Sequence, residues 1–168
     1  MKLRMCNNCI QPMERDFFGG AFLLLTKRLG ISEYQAVVNL HYEDGPAHKK
    51  GAVAPSVKAI KNFLYTNKEP REFDMHLQET DWPTMLMSLS HEMVHVKQWL
   101  LGELTATKDK LPKQVWRGVQ VTDLNIPYHE QPWEVEAHAK MEPLATWVAK
   151  EMCKQRGINA EEAYRQAA

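Results

Sequence analysis

Apolar residues recur with the period of an α-helix in three segments of the chain. These segments are residues 13–29, 80–101 and 132–155. Each is followed by a glycine, the residue that most often ends a helix: Gly30, Gly102 and Gly157. Thr80 or Asp81 can cap the start of the second helix, and Pro132 is a favoured first residue for the third. We therefore expect three helices, of which the third is kinked at Pro143.

Strand-like patterns lie mainly between the first two helices. The predicted strands are residues 35–43, a segment starting near Gly51, residues 72–78 and a short stretch within residues 115–121. Residues 72–78 alternate cleanly, so that Phe73, Met75 and Leu77 share one face of their strand. Residues 57–65 fit a helix and a strand equally well. Strands followed by long helices indicate an α+β domain.

The composition is that of a soluble globular domain. It disfavours two classes of partner, nucleic acids and membranes. The chain has 168 residues with 21 Lys and Arg against 21 Asp and Glu, so its formal net charge is zero. We expect no nucleic-acid partner, because such binding draws on an excess of basic charge. The longest apolar stretch, residues 17–25, is too short to span a bilayer. It is also preceded by acidic residues, whereas a secretory signal has basic residues there. We expect one cytoplasmic domain over residues 1–168, with residues 1–12 as a candidate loose N-terminal segment.

The cysteines form an odd set that fits a reducing compartment better than a disulfide framework: Cys6, Cys9 and Cys153. Cys6 and Cys9 have the C-x-x-C spacing of half a zinc site, but no second pair follows them. The preferred interpretation is therefore a free N-terminal segment or buried small residues, and not structural zinc.

The second predicted helix carries the sequence His91-Glu92-Met93-Val94-His95, which matches H-E-x-x-H. On a helix the two imidazoles lie one turn apart and can bind one zinc ion, while Glu92 reaches the metal-bound water. The alternative is a pair of exposed histidines on a solvated helix. We favour the metal site because the rest of this helix surface is largely apolar, and buried imidazoles need partners.

A hydrolytic zinc site needs a third protein ligand and an open position for water. The start of the third helix offers three candidates: Glu134, Glu136 and His138. At about 100° per residue, Glu134 falls within the apolar stripe of this helix and Glu136 on the opposite face. A carboxylate inside an apolar stripe is costly unless it is paired or metal-bound, so Glu134 is the predicted ligand. His138 is placed to support a ligand by hydrogen bonding. Glu136 and His138 remain alternatives to Glu134 as the third ligand.

The combined segments HEMVHVKQW and PWEVEAH resemble the gluzincin metallopeptidases, in which H-E-x-x-H is followed by a helix bearing E-x-x-A-[DN]. Glu134, Ala137 and His138 fall on the second motif, although His138 departs from the usual Asp or Asn. The sequence is most similar to small zinc metallopeptidases of phage and bacterial genomes, over residues 71–141. This resemblance implies an α+β zincin-like domain with a small, mostly antiparallel sheet, a central H-E-x-x-H helix and a C-terminal helix carrying the third ligand.

The resemblance also implies that residues 72–78 form an edge strand that pairs with an extended peptide substrate. Their alternation permits this role, and an ordinary sheet strand with one solvated face is the alternative. Tyr128 and His129, just before the third helix, are candidates to stabilise the oxyanion of a tetrahedral intermediate. Surface or packing roles are the alternative for both residues.

These residues together predict a zinc metallopeptidase that acts on a peptide or protein substrate. One Zn²⁺ per chain is held by His91, His95 and Glu134, and Glu92 is the general base. The alternatives are a non-catalytic zinc- or peptide-binding protein of the same fold, or a partner-specific regulatory protease or toxin. The presence of Glu92 disfavours the non-catalytic alternative, because a structural site needs no base beside its ligands.

Overall fold

The computed structural model describes residues 1–6, 12–42, 52–55, 70–77, 81–107, 114–121 and 126–158. These parts contain the helices α1 (Pro12–Arg28), α2 (Trp82–Leu100) and α3 (Pro132–Gln155), and a 3₁₀ helix at Tyr128–Glu130. They also contain the strands β1 (Lys2–Met5), β2 (Val37–Tyr42), β3 (Ala52–Pro55), β4 (Glu72–Leu77), β5 (Leu104–Ala106), β6 (Gln114–Trp116) and β7 (Val119–Gln120). The expected α+β class is confirmed. The ambiguous residues 57–65, and Cys9 of the C-x-x-C spacing, lie outside the described residues.

The larger sheet has four strands in the order β1-β2-β4-β3. β2 pairs in parallel with both β1 and β4, whereas β3 pairs with β4 antiparallel. The expectation of a mostly antiparallel sheet is therefore wrong for this sheet, which is mixed. The reason lies in the connections, because α1 follows β1 and returns the chain to the end where β2 can start in parallel. The smaller sheet, in the order β5-β6-β7, is antiparallel throughout.

β4 is not an edge strand, so the substrate-pairing role expected of residues 72–78 is wrong. It pairs with β2 on one side and with β3 on the other. Its backbone groups on both sides are therefore already used. The predicted alternation is confirmed, since Phe73, Met75 and Leu77 are fully buried while His76 is exposed. Alternation shows which face of a strand is buried, but it does not show how many neighbours the strand has.

The first residues of the chain form β1, so the expectation of a loose N-terminal segment is wrong for residues 2–5. β1 pairs with β2 from Lys2 to Met5, and the amide of Cys6 extends the ladder by donating to the Leu40 carbonyl at 2.9 Å. Leu3 and Met5 pack against the hydrophobic core. Cys6 itself is exposed and carries a free thiol.

The helix boundaries follow the predicted caps. Asp81 precedes α2 and accepts a hydrogen bond from the Thr84 amide at 2.9 Å, so it is the N-cap. Gly102 and Gly157 follow α2 and α3 with φ values of 69°, a left-handed conformation that favours glycine. Pro132 is at the start of α3, where a missing amide hydrogen has no cost.

α2 lies at the centre of the fold, because its side chains are buried on nearly every face between Leu89 and Val96. It packs against α1, against α3 and against the inner face of the larger sheet. The resulting hydrophobic core includes Phe18, Phe22 and Met93. Within the described residues, no helix is both long and apolar enough to cross a bilayer.

Candidate metal centre

Two imidazoles meet on the side of α2 that faces α3. His91 and His95 are one helical turn apart, and their Nε2 atoms lie 3.0 Å from each other. Both residues are buried, with exposed fractions of 8% and 5%. The alternative of an exposed, solvated pair is excluded by this burial. Glu92, between them in sequence, is also buried.

Glu134 comes to the same point from the first turn of α3. Its Oε2 lies 3.2 Å from His91 Nε2, and its Oε1 lies 3.2 Å from His95 Nε2. The carboxylate is 2% exposed, within the apolar stripe where the helical angles predict it. Two nitrogens and one carboxylate therefore converge from two helices.

The spacing of these atoms fits a transition metal. Ligand atoms about 2.0–2.2 Å from a tetrahedral zinc ion stand about 3.3–3.6 Å apart. The observed separations of 3.0 and 3.2 Å are close to that edge length. Within the described residues, Glu134 Oε2 and His91 Nδ1 are buried without a hydrogen-bond partner. Glu134 Oε2 lies near His91 Nε2 but does not form a hydrogen bond of good geometry with it. Buried polar atoms left in this way are costly, and a metal ion would satisfy the carboxylate oxygen.

The electrostatics of the cluster favour an ionised carboxylate. Burial alone would raise the pKa of Glu134, but contacts with His91, His95 and the Tyr128 hydroxyl hold it well below its usual range. Burial opposes the charged form of His95, yet contacts with Glu134 and Gln98 and the charges of Glu134 and Glu92 raise its pKa. The cluster therefore attracts positive charge, whether from a proton or from a cation.

Of the two residues predicted before α3, the structure brings Tyr128 to the cluster and leaves His129 outside it. The pKa of Tyr128 is raised by burial, by a hydrogen bond with Glu134 and by the charges of Glu134 and Glu92. Its hydroxyl therefore stays protonated. The tyrosine is still 63% exposed, so only its hydroxyl end is held. The His129 side chain is 72% exposed and pairs with Glu130 at 3.6 Å. Its expected role near the oxyanion has no support, because the 3₁₀ helix turns it toward solvent.

His138 lies one turn beyond Glu134 on α3, and its ring centroid is 4.7 Å from that of His91. His91, Glu134 and His138 each offer a ligand atom, and these atoms all lie within 4.8 Å of one another. A His/Glu/His group that could hold a metal ion is therefore present. The exposed position of His138 distinguishes it from the buried His95.

Glu136 was expected on a solvated face of its helix, and this expectation is wrong. The smaller sheet packs beside the residue. Its carboxylate is half-buried and contacts Lys97, Arg117 and Lys140. Burial opposes its ionisation, but Lys140, Gln98 and Lys97 together lower the pKa of Glu136. Glu136 is thus held in a charged cluster and not at the point where the imidazoles meet.

Sequence reasoning missed Gln98. This side chain is fully buried, and its Oε1 lies 2.8 Å from His95 Nδ1. Its spacing of three residues after His95 places it on the same helix face, and that is the signal that could have identified it.

Comparison of the chain with protein-family models, with curated proteins and with solved structures finds no match.

Proposed function

We propose that this protein is a zinc-dependent metallopeptidase of zincin type. The observation that carries the proposal is the convergence of His91, His95 and Glu134 within 3.0–3.2 Å of one another. Two imidazoles and one carboxylate form a donor set typical of hydrolytic zinc sites. The spacing and the orphaned carboxylate oxygen support the assignment of these three residues as ligands.

When bound, zinc would act as a Lewis acid and bring the pKa of a coordinated water to about 7. Glu92 is the candidate general base because it lies on α2 beside both imidazoles and its charge acts on His95. Its carboxylate takes a proton from the attacking water and later gives it to the leaving amine. Burial of Glu92 keeps bulk water from competing for that proton.

Tyr128 is the candidate oxyanion donor. Its hydroxyl is held at the cluster by Glu134 and remains protonated, so it can donate a hydrogen bond as negative charge develops on a substrate oxygen. The exposed ring leaves the approach to this hydroxyl on the protein surface. A peptide or protein chain is the proposed substrate, because the H-E-x-x-H and E-x-x-A segments resemble those of metallopeptidases.

A non-catalytic zinc-binding protein is the second candidate, and His138 is the observation that favours it. If His138 joined the other three ligands, the site would be closed with four protein ligands and no position for water. The presence of Glu92 at the site disfavours this candidate, since a closed structural site has no use for a base.

The test combines metal analysis with cleavage of an unfolded protein substrate, with and without a chelator. We expect about one zinc per chain, and cleavage that a chelator stops and zinc restores. Glu92→Gln should keep the zinc but lower cleavage by about 10²–10⁴-fold, because the amide cannot take a proton. His76→Ala is the matched control, since it removes an exposed imidazole on the outer face of the larger sheet.

Zinc bound without cleavage in the wild type would favour the closed site and the non-catalytic candidate. Cleavage that survives in Glu92→Gln would exclude Glu92 as the base. Protein made with zinc present but containing none would contradict the metal site itself.

A further inference from the structure

The geometry points to Gln98 as the residue that orients the imidazole of His95 with its Nε2 toward the proposed metal position, with Glu136 holding Gln98 in place. Gln98 does not reach the three proposed ligand atoms itself. It is a positioning residue, and its role deepens the proposed function because it rests on His95 being a ligand.

The orientation of the Gln98 amide follows from its neighbours. One end of the amide lies 3.0 Å from the backbone carbonyl of Trp133 and 3.2 Å from Glu136 Oε2. Both of these oxygens can only accept hydrogen bonds. The amide nitrogen must therefore face them, and it donates one hydrogen to each.

The other end of the amide, Oε1, then faces His95 Nδ1 at 2.8 Å. A carbonyl oxygen can only accept, so Nδ1 must carry the hydrogen in this contact. Nε2, on the far side of the ring, faces His91 and lies 3.2 Å from Glu134 Oε1, which also accepts hydrogen bonds. The hydrogen bond to Gln98 therefore fixes the orientation of the ring and leaves Nε2 as the nitrogen at which a metal would replace a proton.

His91 has no such partner among the described residues. Its Nδ1 is buried without a hydrogen bond. Of the two imidazoles, only that of His95 is therefore held in orientation by a hydrogen bond at its Nδ1 within the described residues.

Gln98 also ties the two ligand-bearing helices together. It is on α2, whereas Trp133 is in the first turn of α3, directly before Glu134. Glu136, about one turn after Trp133 on α3, accepts a hydrogen bond from the Gln98 amide. Glu136 is itself fixed by Lys97, Lys140 and Arg117. A single buried amide thus fixes the ring of His95 and the position of the helix that carries Glu134.

The first test is nitrogen NMR of the histidine rings in metal-free wild-type protein and in Gln98→Met. We expect Nδ1 of His95 to carry a hydrogen that is hydrogen-bonded in the wild type, and this hydrogen bond to be lost in the variant. An unprotonated Nδ1 in the wild type would overturn the inference. This readout needs no metal, so a failure of the proposed zinc site leaves it decisive.

The second test is zinc affinity in Gln98→Met, which keeps the approximate size of the side chain but removes both hydrogen-bonding ends. We expect zinc affinity to fall about 10–100-fold, as is typical when the outer partner of a metal-binding imidazole is lost. The hydrogen bond at Nδ1 of His95 should also be lost. Zinc affinity within about twofold of wild type, in a variant that still folds by circular dichroism, would overturn the inference.

A double variant guards against misfolding of Gln98→Met. Gln98→Glu with Glu136→Gln exchanges the amide and the carboxylate, so the contact between positions 98 and 136 is kept with its polarity reversed, while the hydrogen bond to the Trp133 carbonyl is lost in both this variant and Gln98→Glu alone. A carboxylate at position 98 still accepts from Nδ1 of His95. We expect the double variant to keep the hydrogen bond at Nδ1 and to bind zinc more tightly than Gln98→Glu alone, because Gln98→Glu alone places two carboxylates against each other. Equal loss in both variants would contradict the role given to Glu136.

Discussion

Adding zinc to the metal-free protein is expected to raise its thermal midpoint. The folded chain brings together the three proposed ligand residues, with nitrogen and oxygen atoms of neighbouring side chains 3.0–3.2 Å apart, whereas the unfolded chain has no such site. At free zinc equal to 100 times Kd, the free energy of unfolding rises by about 2.7 kcal/mol. For a chain of this length, each kcal/mol shifts the midpoint by about 2–4 °C, so the rise should be about 5–11 °C.

This rise should grow with pH, and the sign follows from His95. Burial opposes the charged form of His95. Its contacts with Glu134 and Gln98 nevertheless raise its pKa in the folded, metal-free protein above the unfolded value of about 6.5. Protonated His95 therefore stabilises the metal-free fold below about pH 6.5, and this contribution is lost as pH rises through the raised pKa. Zinc requires the neutral imidazole, so below the raised pKa one displaced proton weakens binding about tenfold per pH unit.

The assay is a set of calorimetric melts between about pH 6 and about pH 8, each with zinc and with a chelator. The difference between the two midpoints should be larger at about pH 8 than at about pH 6 in the wild type and in the control His76→Ala. In Glu134→Gln it should be much smaller at every pH, because the carboxylate ligand is gone. A difference that is independent of pH, or that Glu134→Gln leaves unchanged, would refute the reasoning.

Three further predictions concern single side chains. Glu134→Gln should weaken zinc binding more than Glu136→Gln, because only Glu134 meets both imidazoles; calorimetric titration that finds the reverse order would make Glu136 the ligand. Tyr128→Phe should keep the zinc and lower kcat by about 10²–10³-fold, the usual cost of an oxyanion donor, and an unchanged kcat would remove Tyr128 from that role. Asp81→Ala should lower stability by about 1 kcal/mol and Asp81→Asn much less, since asparagine still caps α2; equal losses in thermal melts would exclude capping as the cause.

The helices and the placement of His91, His95 and Glu134 on them could be predicted because both depend on local spacing. The caps Asp81 and Gly102 are visible in the sequence, and so is the one-turn separation of His91 and His95. The position of Glu134 followed from the angle it makes with the apolar residues of its own helix.

The arrangement of the strands could not be predicted in the same way, since it depends on long-range pairing. The alternation in β4 shows its buried face equally well with one neighbour or with two. β1 has only four residues, too few for a clear pattern. Glu136 was expected in solvent because its helix alone gives no sign that Arg117, on a hairpin 19 positions earlier, contacts it.

The most direct measurement of the proposed centre is anomalous diffraction at the zinc edge from crystals grown with zinc. We predict one peak per chain, about 2.0–2.2 Å from Nε2 of His91, from Nε2 of His95 and from a carboxylate oxygen of Glu134, with a water as the fourth ligand. A peak bound by His138 in place of that water would show a closed site and contradict catalysis. No peak among these side chains, in crystals whose protein binds zinc elsewhere, would contradict the metal centre.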